Sequence, residues 1–115
     1  MEYADLRSRL VGALDERRRA TDNPYEQKAL HRVMSIAVWV VDQNKYKPAV
    51  DLAALRAMTL EEIDIYLHKM LVDGFGDREL IRAVQEAREL VGDLFSQLIK
   101  EAAQGTKATA GKAAD

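Results

Sequence analysis

The chain contains no cysteine among its 115 residues. Disulfides, thiolate metal sites and cysteine nucleophiles are therefore excluded, and the composition is compatible with a reducing compartment. A basic excess is also missing, since 17 Lys and Arg stand against 19 Asp and Glu for a net charge of -2. Proteins that bind nucleic acid usually show a basic excess or a concentrated basic face. The overall charge gives no such indication.

Long hydrophobic runs are absent as well. The longest nearly apolar stretch, 33–41, is about half the length that a membrane-spanning helix needs, and it contains Ser35. The first residues mix charged and apolar side chains, without the charged-then-apolar order of a secretory signal. These patterns predict buried protein core at 33–41 and a soluble, cytoplasmic protein.

What the sequence does contain is an ordinary globular balance, with 48% hydrophobic and 31% charged residues. A chain of this length can bury one core without metals or disulfides. We expect an all-α protein, a compact bundle of about five helices over 1–103. A low-complexity tail follows at 104–115; it has no large apolar residue, and we expect it to be mobile.

Helices one and two follow from periodicity and from turn residues. Helix one is predicted over 3–19, and helix two begins at Pro24, where Asn23 can act as the N-cap with Glu26 three residues on. Helix two runs to about Gln43. Its second half is apolar on nearly every face, which is typical of a helix surrounded by neighbours. A strand is the alternative for this β-branched segment. Apolar residues recur at helical spacing in helix one: Tyr3, Leu6, Leu10, Val11 and Leu14.

Two shorter helices are predicted next. Helix three starts near Pro48 or Asp51 and ends at about residue 58. Thr59 and Glu62 form a capping-box pattern that predicts the start of helix four. Its apolar residues are expected on one side: Leu60, Ile63, Leu67, Met70 and Leu71. Glycine tolerates the left-handed conformation that ends helices, so residues 73–76 are expected to close helix four.

Helix five is predicted from Asp77 to about Ala103, roughly 26 residues and so ~40 Å at 1.5 Å per residue. Its seam has the alternating spacing of helix packing: Leu80, Val84, Ala87, Val91, Leu94 and Leu98. Because the other helices are shorter, we expect one end of helix five to project beyond them. The residues predicted to form a partner interface are Leu90, Leu94, Phe95, Leu98, Ile99 and Trp39. The competing interpretation is that helix one folds back and covers them.

The sequence carries no pattern of catalytic or cofactor chemistry. The serines lack a glycine-rich elbow, and no nucleotide fingerprint surrounds Gly74 and Gly76. Asp64 and His68 are four residues apart on a predicted helix, but two such ligands do not complete a metal site. We therefore predict no catalytic residue, metal or cofactor. An enzyme with an unfamiliar site at Asp64 and His68 is the least favoured hypothesis.

The strongest local charge feature is the run of Arg17, Arg18 and Arg19 near the end of helix one. Cations at a helix C-terminus complement the helix dipole, which accounts for most of this pattern. The functional alternative is that these arginines bind phosphates or an acidic partner together with Lys45 and Lys47. It predicts a nucleic-acid-binding regulator.

We favour a different function, a non-enzymatic interaction protein that acts as an adaptor, assembly or regulatory subunit. The excess of apolar helix surface predicts that it binds a protein partner or a second copy of itself. Nucleic acid is the less favoured partner, and no membrane association is expected. Small helical proteins with low-complexity tails are common among phage and plasmid products, so a virion is the alternative location.

Overall fold

The computed structural model describes the backbone of residues 2–74 and 77–114, and the side chains of this range up to residue 104. Within these residues the chain forms four α-helices and no β-strand: α1 (Tyr3–Ala20), α2 (Pro24–Gln43), α3 (Leu52–Asp73) and α4 (Arg78–Ala114). The predicted all-α class is confirmed. The number of helices differs from the five predicted.

The first two helices have the predicted positions, and α2 has the predicted bounds of Pro24–Gln43. Asn23 is the N-cap of α2, because its side-chain oxygen accepts the backbone N–H groups of Tyr25 and Glu26 at 2.9 and 3.3 Å. Glu26 does not complete a capping box, since its carboxylate accepts the hydroxyl of Thr21 instead. The apolar stretch 33–41 is helical, so the strand alternative is wrong.

The predicted helices three and four are one continuous helix, α3. Asp51 caps it, with its carboxylate accepting the Ala54 N–H at 3.0 Å. Thr59 does not start a new helix. It is fully buried within α3, and its hydroxyl donates to the Leu55 carbonyl one turn earlier at 2.7 Å. A threonine bonded back in this way is satisfied inside a helix, so the capping-box pattern did not mark a boundary.

Gly74 ends α3 in the left-handed conformation, with φ 66°, as predicted. Residues 75 and 76, the other part of the predicted turn, lie outside the described residues. The next helix, α4, extends to Ala114 and not to about Ala103. No proline interrupts 104–114, and alanine is the strongest helix former. The side chains of 105–115 are outside the description, so the predicted mobile tail stays a prediction.

Helix α2 is the centre of the bundle. It packs against α1, α3 and α4, and α3 also packs against α4. The core consists mainly of aliphatic side chains from all four helices, with Phe95 as the large aromatic residue among them. The fold is compact, as predicted, and the longest of its extents of 59 × 29 × 18 Å is close to the length of α4. Within the described part of the chain, no helix is both long and apolar enough to span a membrane.

Candidate functional site

The interface predicted on the last helix is largely covered by the chain itself. Phe95 is completely buried and Leu98 is 4% exposed. Helix α1 lies near this part of α4, where Leu10 and Ala13 line a cleft together with Leu94 and Leu98. The prediction that Phe95 and Leu98 project into solvent is therefore wrong, because both belong to the core formed by all four helices. The competing interpretation, coverage by helix one, holds for the cleft at Leu94 and Leu98.

The remaining predicted residues of α4 are half-buried. Leu90 and Leu94 pack against the core, and Ile99 is of intermediate exposure. An ion pair between Arg9 and Glu101 holds α1 against α4 one turn further along. These contacts leave only strips of apolar surface on α4.

Trp39, the predicted interface residue on α2, is exposed, unlike those on α4. It was predicted within a helix segment surrounded by neighbours, yet its side chain is 53% exposed on the outer side of α2. Two contacts show which part of α3 lies beside it: the Arg32 guanidinium lies 5.0 Å from the Tyr66 ring centre, and the Asn44 amide contacts the Met58 sulfur at 4.0 Å. The two helices are therefore antiparallel, and Trp39 is level with about residue 61 of α3.

Helix α3 also carries aliphatic side chains in solvent. Ile65 is 44% and Val72 is 67% exposed. Seven residues is nearly two helical turns, so the two share one face of the helix. Leu71 is also exposed, at 62%, although the sequence placed it on the buried side. It lies on a different face from Ile65, because six residues rotate the side chain by about 120° away.

Charged side chains flank Ile65 symmetrically. Glu61 lies four residues before it and Lys69 four residues after it, and both are exposed. Within the described residues neither has an ion-pair partner. We call the surface formed by Trp39, Glu61, Ile65, Lys69 and Val72 the α3 face.

The predicted basic contact is divided by the fold. Arg18 and Arg19 line a hollow at the turn between α1 and α2, whereas Arg17 lines a different one with Glu26 and Glu86. Lys45 and Lys47 follow the far end of α2, whose 20 residues extend over about 30 Å. The structure does not bring the arginine run and the lysines together.

The loop after α2 is a separate exposed element. Tyr46 is 87% exposed, and the Lys45 ammonium lies 5.2 Å from its ring centre. The loop is attached to the start of α1, where the Tyr3 hydroxyl donates to the Ala49 carbonyl at 2.9 Å.

The residues considered for metal or enzymatic chemistry do not converge. Both carboxylate oxygens of Asp64 accept hydrogen bonds from Arg88 of α4, at 2.7 and 3.0 Å. His68 is exposed one turn away. Among the described side chains, no group of three or more potential metal ligands occurs. Asp64 therefore connects α3 to α4.

The comparisons with known proteins identify no relative. No family model matches the chain, and no curated protein or solved structure matches it.

Sequence reasoning found one residue of the α3 face, Trp39, and missed the others. A signal was present, because Ile65, Leu71 and Val72 are more apolar residues than one buried stripe of α3 requires. All three residues lie in the predicted helix four, where Leu71 was placed on the buried side and Ile65 and Val72 were not assigned to a face.

Proposed function

We propose that the chain is a non-enzymatic protein–protein interaction module, an adaptor, assembly or regulatory subunit that self-associates through the α3 face. The observation that supports this proposal is the exposure of Trp39, Ile65 and Val72 on adjacent helices. Beside them lie two charges of opposite sign that have no ion-pair partner among the described residues. Contiguous exposed apolar side chains rimmed by polar residues are typical of interaction surfaces.

A second copy of the chain fits the order of charges on α3. In a two-fold dimer, a residue i that contacts j is matched by a second contact of j with i. If two α3 helices pack antiparallel with Ile65 on the axis, Glu61 of each copy faces Lys69 of the other. The same arrangement brings Trp39 of one copy towards Val72 of the other, since Trp39 is level with Glu61. The face is thus complementary to itself in charge and in apolar contact.

Charge reversal tests this proposal. Glu61→Lys or Lys69→Glu alone replaces two attractive pairs by two repulsive ones, and we expect roughly tenfold weaker dimerisation at ~0.5–1 kcal/mol per pair. The double variant Glu61→Lys with Lys69→Glu restores both pairs and should recover the wild-type dissociation constant, measured by sedimentation equilibrium.

A pair of aspartate substitutions distinguishes dimerisation through the α3 face from non-specific association of apolar surface. Ile65→Asp places a carboxylate at the axis and should give a monomer, whereas Leu71→Asp, on another face of α3, should leave dimerisation unchanged. A wild-type chain that stays monomeric at high micromolar concentration would contradict self-association, as would equal effects of the two aspartate variants.

A further inference from the structure

Two neighbouring hollows on the basic side of α2 have Lys28 in common. The first, at the turn between α1 and α2, has a volume of about 470 Å³ and is lined by Arg18 and Arg19 with Lys28. The second, of about 240 Å³, lies between α2, α3 and α4 and is lined by His31 and Arg32 with Lys28. Among the described residues, no aspartate or glutamate lines either hollow.

Arg18 and Arg19, the two arginines of the first hollow, share one acidic partner. The Asp15 carboxylate accepts a hydrogen bond from the Arg18 Nη2 at 2.6 Å and forms an ion pair with the Arg19 Nε at 3.0 Å. A guanidinium has five N–H donors, so each arginine keeps donors for a ligand. Because this one carboxylate pairs with both guanidinium groups, neither arginine has an ion-pair partner to itself. Arg19 is exposed and Arg18 is half-buried.

Cations and acids are segregated around α2. Lys28 is exposed and has no ion-pair partner within the described part of the chain. The closest acid on α2, Glu26, accepts a hydrogen bond from Thr21 and lines the hollows towards α4, with Glu86. Asp22, in the turn itself, is exposed. The basic hollows therefore lie on one side of α2 and the glutamates on another.

We propose that this surface, formed by Arg18, Arg19, Lys28 and Arg32, binds the phosphate backbone of a nucleic acid. From the start of α2 to Arg32 it extends roughly 12 Å, and its four cations offer up to four phosphate contacts. Two successive hollows fit a chain of phosphates better than one compact anion. Guanidinium and ammonium groups are the usual phosphate ligands.

Binding is independent of base sequence. The Arg32 guanidinium covers one face of Tyr66, the aromatic ring in the second hollow. The amide in the first hollow, Gln27, donates to the Thr21 carbonyl at 2.8 Å. Contacts to phosphates position a protein on nucleic acid, whereas contacts to base edges read the sequence. This site supplies the first kind.

The salt dependence of binding tests the proposal. With a labelled mixed-sequence DNA duplex, four phosphate contacts predict a slope of about -3.6 for log K against log salt concentration, at about -0.9 per contact. Lys28→Gln should make that slope shallower by about 0.9. Lys28 is exposed, so the variant should fold normally, which circular dichroism can verify.

A matched control removes the same charge elsewhere. Arg82 is exposed on α4 and lines a hollow with Glu79 and Glu86, so Arg82→Gln should not change the slope. Equal slopes for the two variants, or no binding at low ionic strength, would overturn the proposal.

Competition with inorganic pyrophosphate tests whether the site binds a small anion instead. Displacement of the duplex at similar molar concentration would overturn the assignment to a polymer, and displacement only in large excess supports it. The Ile65→Asp variant should bind as wild type, which keeps this result separate from self-association.

Discussion

Phe95 shows at the scale of one residue how burial depends on neighbours. Its position on the widened apolar stripe of α4 is the same whether it contacts a partner or the chain's own helices. In the structure it is the largest fully buried side chain. The sequence identifies Phe95 as part of a contact surface, and the packing of the helices determines that this contact is internal.

Truncation of Phe95 should therefore affect folding first. Phe95→Ala removes a ring from the core and leaves a cavity, so we expect a loss of about 3–5 kcal/mol in the free energy of unfolding. Urea denaturation followed by circular dichroism measures it. Ile99→Ala, at a half-buried position on the same helix, is the control and should cost less. If Phe95→Ala were the milder variant, the interior position of Phe95 would be contradicted.

At the scale of elements, α3 was the helix that local patterns described least well. Thr59 followed by Glu62 is a valid start signal, yet the segment before it also begins with a good cap at Asp51. Two start signals in succession do not reveal which one is used. Packing decides here, because a continuous α3 buries Leu55, Thr59 and Ile63 along one stripe against its neighbours. Sequence patterns predicted α1 and α2 better, since polar turn residues and Pro24 separate them.

Two glycines within helices provide a paired test at this scale. Gly12 is exposed in α1 and a Cβ there would meet nothing within 4 Å, so Gly12→Ala should stabilise the chain by about 0.5–1 kcal/mol. Gly92 is buried in α4, and its Cβ would lie 3.3 Å from the Arg56 Nη2. Arg56 also donates from its Nε to the Gly92 carbonyl at 3.1 Å.

Gly92→Ala should therefore stabilise less than Gly12→Ala, because Arg56 must move and its hydrogen bond to α4 is disturbed. Thermal unfolding of the two variants beside the wild type measures the difference. An equal gain from both would show that the α3–α4 crossing has room for a methyl group.

For the whole molecule, two ion-paired carboxylates make the stability of the fold depend on pH. Hydrogen bonding to Arg18 lowers the pKa of Asp15, and hydrogen bonding to Arg9 lowers the pKa of Glu101. The Glu101 pair joins α1 to α4, which are far apart in sequence. A carboxyl group whose pKa is lower in the folded state stabilises that state above its unfolded pKa. The contribution is lost as the pH falls through the folded pKa.

The acid side of the stability profile should show this effect. Below the ordinary Glu value of 4.5, the Glu101 carboxylate begins to lose its contribution to the wild type. Glu101→Gln cannot lose it, so its melting temperature should fall less between neutral pH and about pH 3. The exposed Glu89→Gln is the control and should follow the wild-type profile. Parallel profiles for Glu101→Gln and wild type would contradict a role for this pair.

The sequence by itself determined the all-α class, the bounds of α2, the cap at Asn23 and the left-handed end at Gly74, because these depend on neighbours within a few residues. Only the tertiary structure decided which apolar faces are covered. Phe95 lies in the core, whereas Trp39 and Ile65 are exposed. It also decided which cations lie together, since Arg18 meets Lys28 across a turn while Lys45 lies at the other end of α2. Both depend on how the helices pack, and local periodicity does not specify that packing.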